Sequence, residues 1–288
     1  MQELHRDSMS ATRVRFFMTA IPLGLTALGL CFALYATILG WLWVRQEKLL
    51  FAPTVLPQSQ VLASAPDIHE VTIDVPGARL SALHLRLPKP RGVVFFLHGN
   101  GGALDTWFVN PEYYRAVNFD LFMIDYRGYG KSSGRIQSEA QLQADVSAAW
   151  AGVAPQYMGR KVVIYGRSLG SGLAAGLAVE MSASRAPDLT VLVSPYTSMA
   201  ALAAEHYRWV PQWLLRYPMW TDRLIDRIRG PVLLIHGDND PLISPSHSEA
   251  LKALAPGAIL IRISGAGHND LQAFDTYLDA FANALRGL

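Results

Sequence analysis

The run Val162-Val163-Ile164-Tyr165-Gly166-Arg167-Ser168-Leu169-Gly170-Ser171-Gly172 decides how the rest of the chain is read. It opens on consecutive apolar, mostly β-branched residues, as a parallel strand buried on both faces does. It breaks into Gly-x-Ser-x-Gly and resumes as Leu173-Ala174-Ala175-Gly176-Leu177-Ala178, a small-residue helical pattern. Strand, tight turn and helix are the setting in which a serine is held exposed on a strained turn. Gly166 and Gly170 allow the close backbone approach that such a turn needs. The helix start behind Ser168 offers unpaired N–H groups and a positive dipole end to developing negative charge. Ser168 is therefore a candidate nucleophile, but the pattern recurs by chance and needs partners elsewhere.

Working outward, apolar runs and helical patterns alternate. Val71–Val75 and Leu80–Leu87, separated by Pro76-Gly77, read as an antiparallel lead-in pair. Val93–Leu97, Asp120–Ile124, Thr190–Val193, Val232–Ile235 and Ile259–Ile263 read as further strands, with helices expected around Trp107–Val117, Ser138–Ala151 and Leu271–Leu285. This alternation predicts an α/β fold with a mostly parallel sheet covered by helices on both faces. Function in such sheets gathers at the C-terminal strand ends. His98, Asp125, Ser168, Asp240 and His268 all fall there.

A serine hydroxyl needs a base to take its proton and an acid to orient that base. In this topology the chain order is serine, acid, histidine. Of the histidines after Ser168, His236 sits at a strand end where a structural role is expected. His206 and His247 lie among polar neighbours and are expected on the surface. His268 follows the last strand in the glycine-rich loop Gly265-Ala266-Gly267-His268-Asn269-Asp270, and is the candidate base. Asp238 and Asp240 both follow directly on a strand. Asp238 is where a turn would use a carboxylate to bond its own backbone, so Asp240 is the candidate acid. An acyl-transfer intermediate also needs N–H donors for its oxyanion. The candidates are Leu169, after the nucleophile, and Asn100 in His98-Gly99-Asn100-Gly101-Gly102, with Gly101 as second choice.

The composition adds bounds. Hydrophobic residues are 51% and charged residues 17%, an apolar balance concentrated near the N-terminus. A net charge of +2 without a basic run excludes a nucleic-acid partner from consideration. The single cysteine, Cys31, excludes an intrachain disulfide and a cysteine-based metal site. Neither a metal nor a cofactor is expected.

From Phe16 to Val44 no residue is charged. These about 29 positions would extend roughly 43 Å as a helix, against a hydrocarbon core of roughly 30 Å. Trp41 and Trp43 fall where an interfacial aromatic belt belongs. A cleaved signal would have a shorter apolar region of about 7–15 residues. Leu30 before Cys31 does not fit a lipoprotein site, where a small residue is needed. The expected organisation is an N-terminal flank (1–15), a single membrane anchor (16–44), and one catalytic domain (45–288) held close to the bilayer. Arg6, Arg13 and Arg15 before the span, against Arg45 and Lys48 after it, place that domain on the non-cytoplasmic side.

Together the motifs His98-Gly99-Asn100, Asp125-Tyr126-Arg127-Gly128-Tyr129-Gly130, Gly166-Arg167-Ser168-Leu169-Gly170, His236-Gly237-Asp238-Asn239-Asp240 and Gly267-His268-Asn269-Asp270 carry a family likeness. From about Leu49 onward the chain resembles the α/β-hydrolase superfamily. More narrowly, it is similar to membrane-anchored serine hydrolases related to the serine aminopeptidase-like group and the α/β-hydrolase-domain depalmitoylases. The resemblance implies structural roles for Asp125 and Arg127. The cysteine-rich N-terminal segment of the animal depalmitoylases has no counterpart here. The insertion 198–230 is expected to form a short cap whose Trp209, Trp213 and Trp220 bind substrate or the membrane interface. The expected activity is hydrolysis of carboxylic esters or thioesters, with lipid or acyl substrates favoured. A peptidase and a non-catalytic binding protein of the same fold are the alternatives.

Overall fold

A computed structural model describes the backbone from residue 3 to residue 288 and the side chains from residue 24 onward. The elements in chain order are helix α1 (Glu3–Leu50), strands β1 (Ile68–Val75), β2 (Ala78–Leu85) and β3 (Gly92–Leu97), helices α2 (Leu104–Trp107) and α3 (Pro111–Val117), and β4 (Phe119–Ile124). There follow α4 (Glu139–Val153), β5 (Lys161–Arg167), α5 (Leu169–Met181), β6 (Leu189–Val193), α6 (Met199–His206), β7 (Val232–Gly237), α7 (Ser246–Leu254), β8 (Ile259–Ile263) and α8 (Asp275–Arg286). Backbone contacts divide the chain into two compact units, with the second running Glu47–Leu288. The stretch Gly24–Leu50 of α1 is long and apolar enough to cross a membrane, with a mean hydropathy of 1.9. Arg6, Arg13, Arg15 and residues 16–23 of the expected anchor lie outside the described side chains.

The second unit is built on one eight-stranded sheet in the order β1-β2-β4-β3-β5-β6-β7-β8. β1 pairs with β2, and β2 with β4, antiparallel; β4, β3, β5, β6, β7 and β8 are parallel. Side chains alternate across a strand, so each parallel strand feeds two cores. Val93, Phe95 and Leu97 of β3 join Leu142 and Val146 of α4 and Leu173 and Leu177 of α5. Val94 and Phe96 face the other way, to Tyr114 of α3 and Tyr277 and Phe281 of α8. Burial on both faces is why these runs read as continuous apolar stretches.

Two elements differ from the sequence expectation. The helix expected across Trp107–Val117 is two helices, because Asn110 takes a left-handed φ of 55° ahead of Pro111 at the start of α3. The insertion 198–230 is α6 followed by three single 3₁₀ turns, with Leu214, Tyr217, Met219, Ile225 and Ile228 buried. Ile225 and Ile228 pack into the α4–α5 core, so this insertion is anchored by its apolar residues over much of its length.

Parallel strands deliver their following loops to one edge, and β5 stands at the centre of the order. The approach of α5 to that edge is set by two glycines. A Cβ on Gly170 would collide with the backbone carbonyl of Leu97, and one on Gly166 with that of Gly170. Neither obstacle is the flexible end of a side chain. Overpacking of this kind costs about 1–3 kcal/mol and sometimes more. Gly170→Ala should lower unfolding free energy by about 3 kcal/mol or prevent folding, measured by urea denaturation. Gly152→Ala, in α4 with nothing within 4 Å of the new methyl, should leave it unchanged or raise it by up to about 1 kcal/mol.

Candidate active site

Ser168 sits between the last residue of β5 and the first of α5, with φ 50° and ψ −120°. A non-glycine residue at this positive φ stores strain of about 1–3 kcal/mol. The surroundings impose it: the Ser168 N–H donates to the Val193 carbonyl of β6 at 2.9 Å, and the close-packed glycines fix the turn on either side. The result presents the hydroxyl to the loops at the strand edge.

Three of those loops converge on it. After β8, His268 brings Nε2 to 3.0 Å from Ser168 Oγ and Nδ1 to 2.7 Å from Asp240 Oδ2. The loops after β7 and β8 are themselves tied together, since the Asn239 N–H donates to the Ala266 carbonyl at 2.9 Å. Asp270 accepts from the Gly267 N–H at 2.7 Å and shapes the turn that carries His268. The residue before Ser168 also takes part: the buried Arg167 donates from Nη2 to the His268 carbonyl at 2.8 Å. Ser168, His268 and Asp240 are all largely buried.

Asp240 serves two sides. Its Oδ1 accepts from the Leu242 and Ile243 N–H groups at 2.9 and 2.8 Å, and its Oδ2 faces both His268 and, at 3.3 Å, His236 Nε2. Burial disfavours its charge, but hydrogen bonds from His236, His268 and the Ile243 amide outweigh burial and hold the carboxyl well below the usual carboxylate range. An ionised Asp240 only accepts, so His268 Nδ1 carries the hydrogen and Nε2 is free to accept from the serine hydroxyl. That is the tautomer in which an imidazole can take a proton from an attacking serine. The turn-bonding role expected of Asp238 therefore belongs to Asp240. Asp238 instead forms an exposed pair with Arg262 at 2.6 Å.

His236 is buried behind Asp240, bonded to Ser248 Oγ at 2.6 Å and the Ile243 carbonyl at 2.9 Å. His206 is exposed, as expected. His247 is not: it is buried in the first turn of α7, with Nδ1 2.9 Å from Thr197 Oγ1 and Nε2 3.2 Å from Glu205. Packing of α7 against the start of the insertion overrides its polar sequence context. Arg127 makes a buried two-point pair with Asp145 at 2.5 and 2.8 Å, a bracing role away from the serine. Asp125 lies against His98 beneath the 98–102 loop, and burial pushes its carboxyl up.

In that loop the Gly101 N–H is committed to Asn100 Oδ1 at 3.1 Å. Leu169 begins α5, so its N–H has no carbonyl one turn earlier within the helix. The ring that borders the serine is one the sequence reading passed over. A Cβ on Gly99 would lie 2.9 Å from the Trp107 ring and 3.4 Å from Ser168 Cβ. Trp107 Nε1 donates to the Gly101 carbonyl at 2.8 Å, and the Arg167 guanidinium lies over its ring. Its position one short helix after a glycine loop was the available signal. Trp107 also lines a cleft of about 490 Å³ with Phe96, Tyr113, Met123, Leu278 and Phe281. By contrast Trp209 and Trp213 are 52% and 75% exposed, and Trp220 stacks with Arg223 at 3.7 Å. Among the described residues no group of three or more histidine, cysteine or acidic side chains is arranged to hold a metal ion.

Comparison with known proteins bears on the family and the fold. Residues 88–220 match the family model described as serine aminopeptidase, S33, and residues 221–272 the one described as alpha/beta hydrolase fold. An uncharacterized protein from Mycobacterium tuberculosis is 32% identical over 263 residues, covering 86% of this chain and 90% of that protein. The human alpha/beta hydrolase domain-containing protein 17B is 32% identical over 213 residues, covering 70% of this chain and 69% of its own length. The chain belongs to the α/β-hydrolase superfamily. Solved structures show the same fold: a Pyrococcus furiosus esterase at TM-score 0.63 and 17% identity covers 83% of this chain and 97% of its own. Est1E from Butyrivibrio proteoclasticus, solved with ferulic acid bound, has TM-score 0.57 and 19% identity, covering 75% and 96%.

The electrostatics of this hydrolase can be checked through stability. A carboxyl depressed by folding contributes stability that is present above its unfolded value of about 4 and is lost as pH falls toward the folded one. The stability advantage of the wild type over Asp240→Asn should therefore shrink between pH 6 and pH 3 in urea titrations. An advantage independent of pH would mean the Asp240 charge is not held this way.

Proposed function

We propose that this hydrolase is a membrane-tethered serine hydrolase that cleaves carboxylic esters or thioesters through an acyl-enzyme on Ser168. The observation that carries the reading is the hydrogen-bonded chain from Ser168 Oγ through His268 to Asp240, at 3.0 and 2.7 Å. Ser168 Oγ attacks the acyl carbon while its proton passes to His268 Nε2, and the Asp240 carboxylate stabilises the imidazolium through Nδ1. The carbonyl oxygen becomes an oxyanion held by the N–H of Asn100 in the loop after β3 and that of Leu169 at the start of α5. The tetrahedral intermediate collapses as His268 returns the proton to the departing alcohol or thiol. Water, activated by the same histidine, then attacks the acyl-serine, and the second collapse frees the acid and restores Ser168.

The apolar span Gly24–Leu50 supports a retained anchor, and the excess of arginines before it favours the hydrolase domain on the non-cytoplasmic side. A domain held close to a bilayer meets acyl groups presented by lipids or acylated molecules, which favours such substrates. The esterase neighbours point to the same bond type. Trp107 and its apolar cleft, together with Trp209, Trp213 and Trp220, are the surfaces proposed to meet an acyl chain. The family model described as a serine aminopeptidase supports amide hydrolysis as the second reading, in which His268 must protonate an amine leaving group.

A fluorophosphonate probe applied to membranes carrying the full chain should label Ser168. Ser168→Ala and His268→Ala should each lower ester turnover at least about a thousandfold. Absence of labelling in folded protein would end the reading. A panel of esters, thioesters and peptide amides graded by acyl length then separates the two activities. Trp213→Ser with Trp220→Ser, and separately Trp107→Ala, should reduce turnover of long-chain esters several-fold more than that of acetyl esters. Equal losses on both would remove these rings from acyl binding. The anchor predicts that the protein stays in the membrane pellet after an alkaline carbonate wash.

A further inference from the structure

The segment that leaves α1 is bound along the loop proposed to hold the oxyanion. Phe51 and Leu56 are buried while the four residues between them are exposed, so the segment is pinned at both ends. Phe51 packs edge-on against Tyr217 with ring centroids 5.1 Å apart. Tyr217 donates its hydroxyl to Glu47 at 2.9 Å, and Arg216 pairs with the same carboxylate. Between the pins, Thr54 donates to the Gly102 carbonyl at 3.2 Å, the Gly130 N–H to the Thr54 carbonyl at 2.7 Å, and Leu56 to the Gly130 carbonyl at 2.9 Å. Single parallel bridges join Pro53 to Gly102 and Val55 to Gly130.

The Asn100 side chain is the junction. Its Oδ1 accepts from the Ala52 N–H at 3.0 Å, the Gly101 N–H at 3.1 Å and the Tyr129 hydroxyl at 2.7 Å. Its Nδ2 donates to the Leu50 carbonyl at 2.7 Å. Leu50 ends α1, so that carbonyl has no partner within the helix, and Asn100 supplies one. Gly101 and Gly102 both take positive φ, at 79° and 71°, and a glycine loop of this kind does not hold its own amides in place. An oxyanion site works only if its donors are fixed before the charge develops.

We propose that Leu50–Leu56 is a strut of the oxyanion hole and that the Asn100 side chain is the positioning residue that seats the loop on it. The inference rests on Ser168 being the nucleophile, as argued above. Loss of the strut would be felt first at the amides proposed to face the oxyanion.

The test uses the full-length chain in detergent micelles and two readouts. Hydrogen–deuterium exchange of the 98–103 amides reports positioning without reference to activity. Turnover of a short-chain ester and affinity for a boronic acid, which takes the tetrahedral geometry on the serine, report the oxyanion site. Asn100→Ala keeps its backbone N–H but loses all four side-chain bonds. It should speed exchange in the loop about tenfold, lower kcat about tenfold with KM within twofold, and weaken the boronic acid in parallel with kcat/KM. Phe51→Ala, which loosens the strut at a ring packed on Tyr217, should move all three readouts in the same direction. Tyr129→Phe, which removes one bond and keeps the ring, should move them less. Exchange across 169–181 should stay unchanged. Variants that lose thermal stability while loop exchange, or kcat and boronic acid affinity, stay at wild-type values would overturn the proposal. Failure of the wild type to take the fluorophosphonate would overturn the hydrolase reading instead, with the strut then judged by exchange alone.

Discussion

The closeness with which helix α5 meets the sheet is the constraint on which the site depends. Two glycines let the helix start directly beneath the end of β5, with backbone against backbone where any side chain would intrude. The turn between them has no relaxed conformation open to a serine, and Ser168 accepts a φ of 50°. That strain is held by the surrounding structure, chiefly the ladder bond to β6 and the packing of the whole α4–α5 core. A side chain mounted this way is held in one place by the backbone beneath it, as the proposed attack by Ser168 requires.

Much of this was legible in the amino-acid order because it depends on local chemistry. Apolar runs of strand length, the glycine pair around Ser168 and the succession serine, acid, histidine each follow from short-range rules, and the sheet order and the meeting of the three side chains agree with them. The structure sets Asp240, not Asp238, against His268, but it divides the bonding of the turn differently from the expectation. Turn bonding was expected of Asp238, whereas Asp240 does it with one oxygen while the other faces His268. A carboxylate has enough lone pairs for both duties, and the sequence pattern alone does not show how they are divided.

What stayed hidden depends on contacts between distant segments. His247 has polar neighbours in sequence yet is buried, because the insertion folds over the first turn of α7. Trp107 borders Ser168 through the path of a glycine loop that no periodicity describes. The stretch after Leu50 contains several prolines and no periodic pattern, so no role in the site is read from it. Its value lies in isolated bridges to Gly102 and Gly130 that become visible only once the chain has folded around it.

The bonds that join the serine, the histidine and the acid span 100 and 28 residues, and the bond from Arg167 to the histidine backbone spans 101. The loop-closure entropy of bringing such groups together is met by the strand pairings of the sheet rather than by the contacts themselves. The constellation is therefore assembled by the long-range pairing of the sheet. Catalytic competence and global stability should be lost in one transition, making the chemistry itself a gauge of whether the domain is intact.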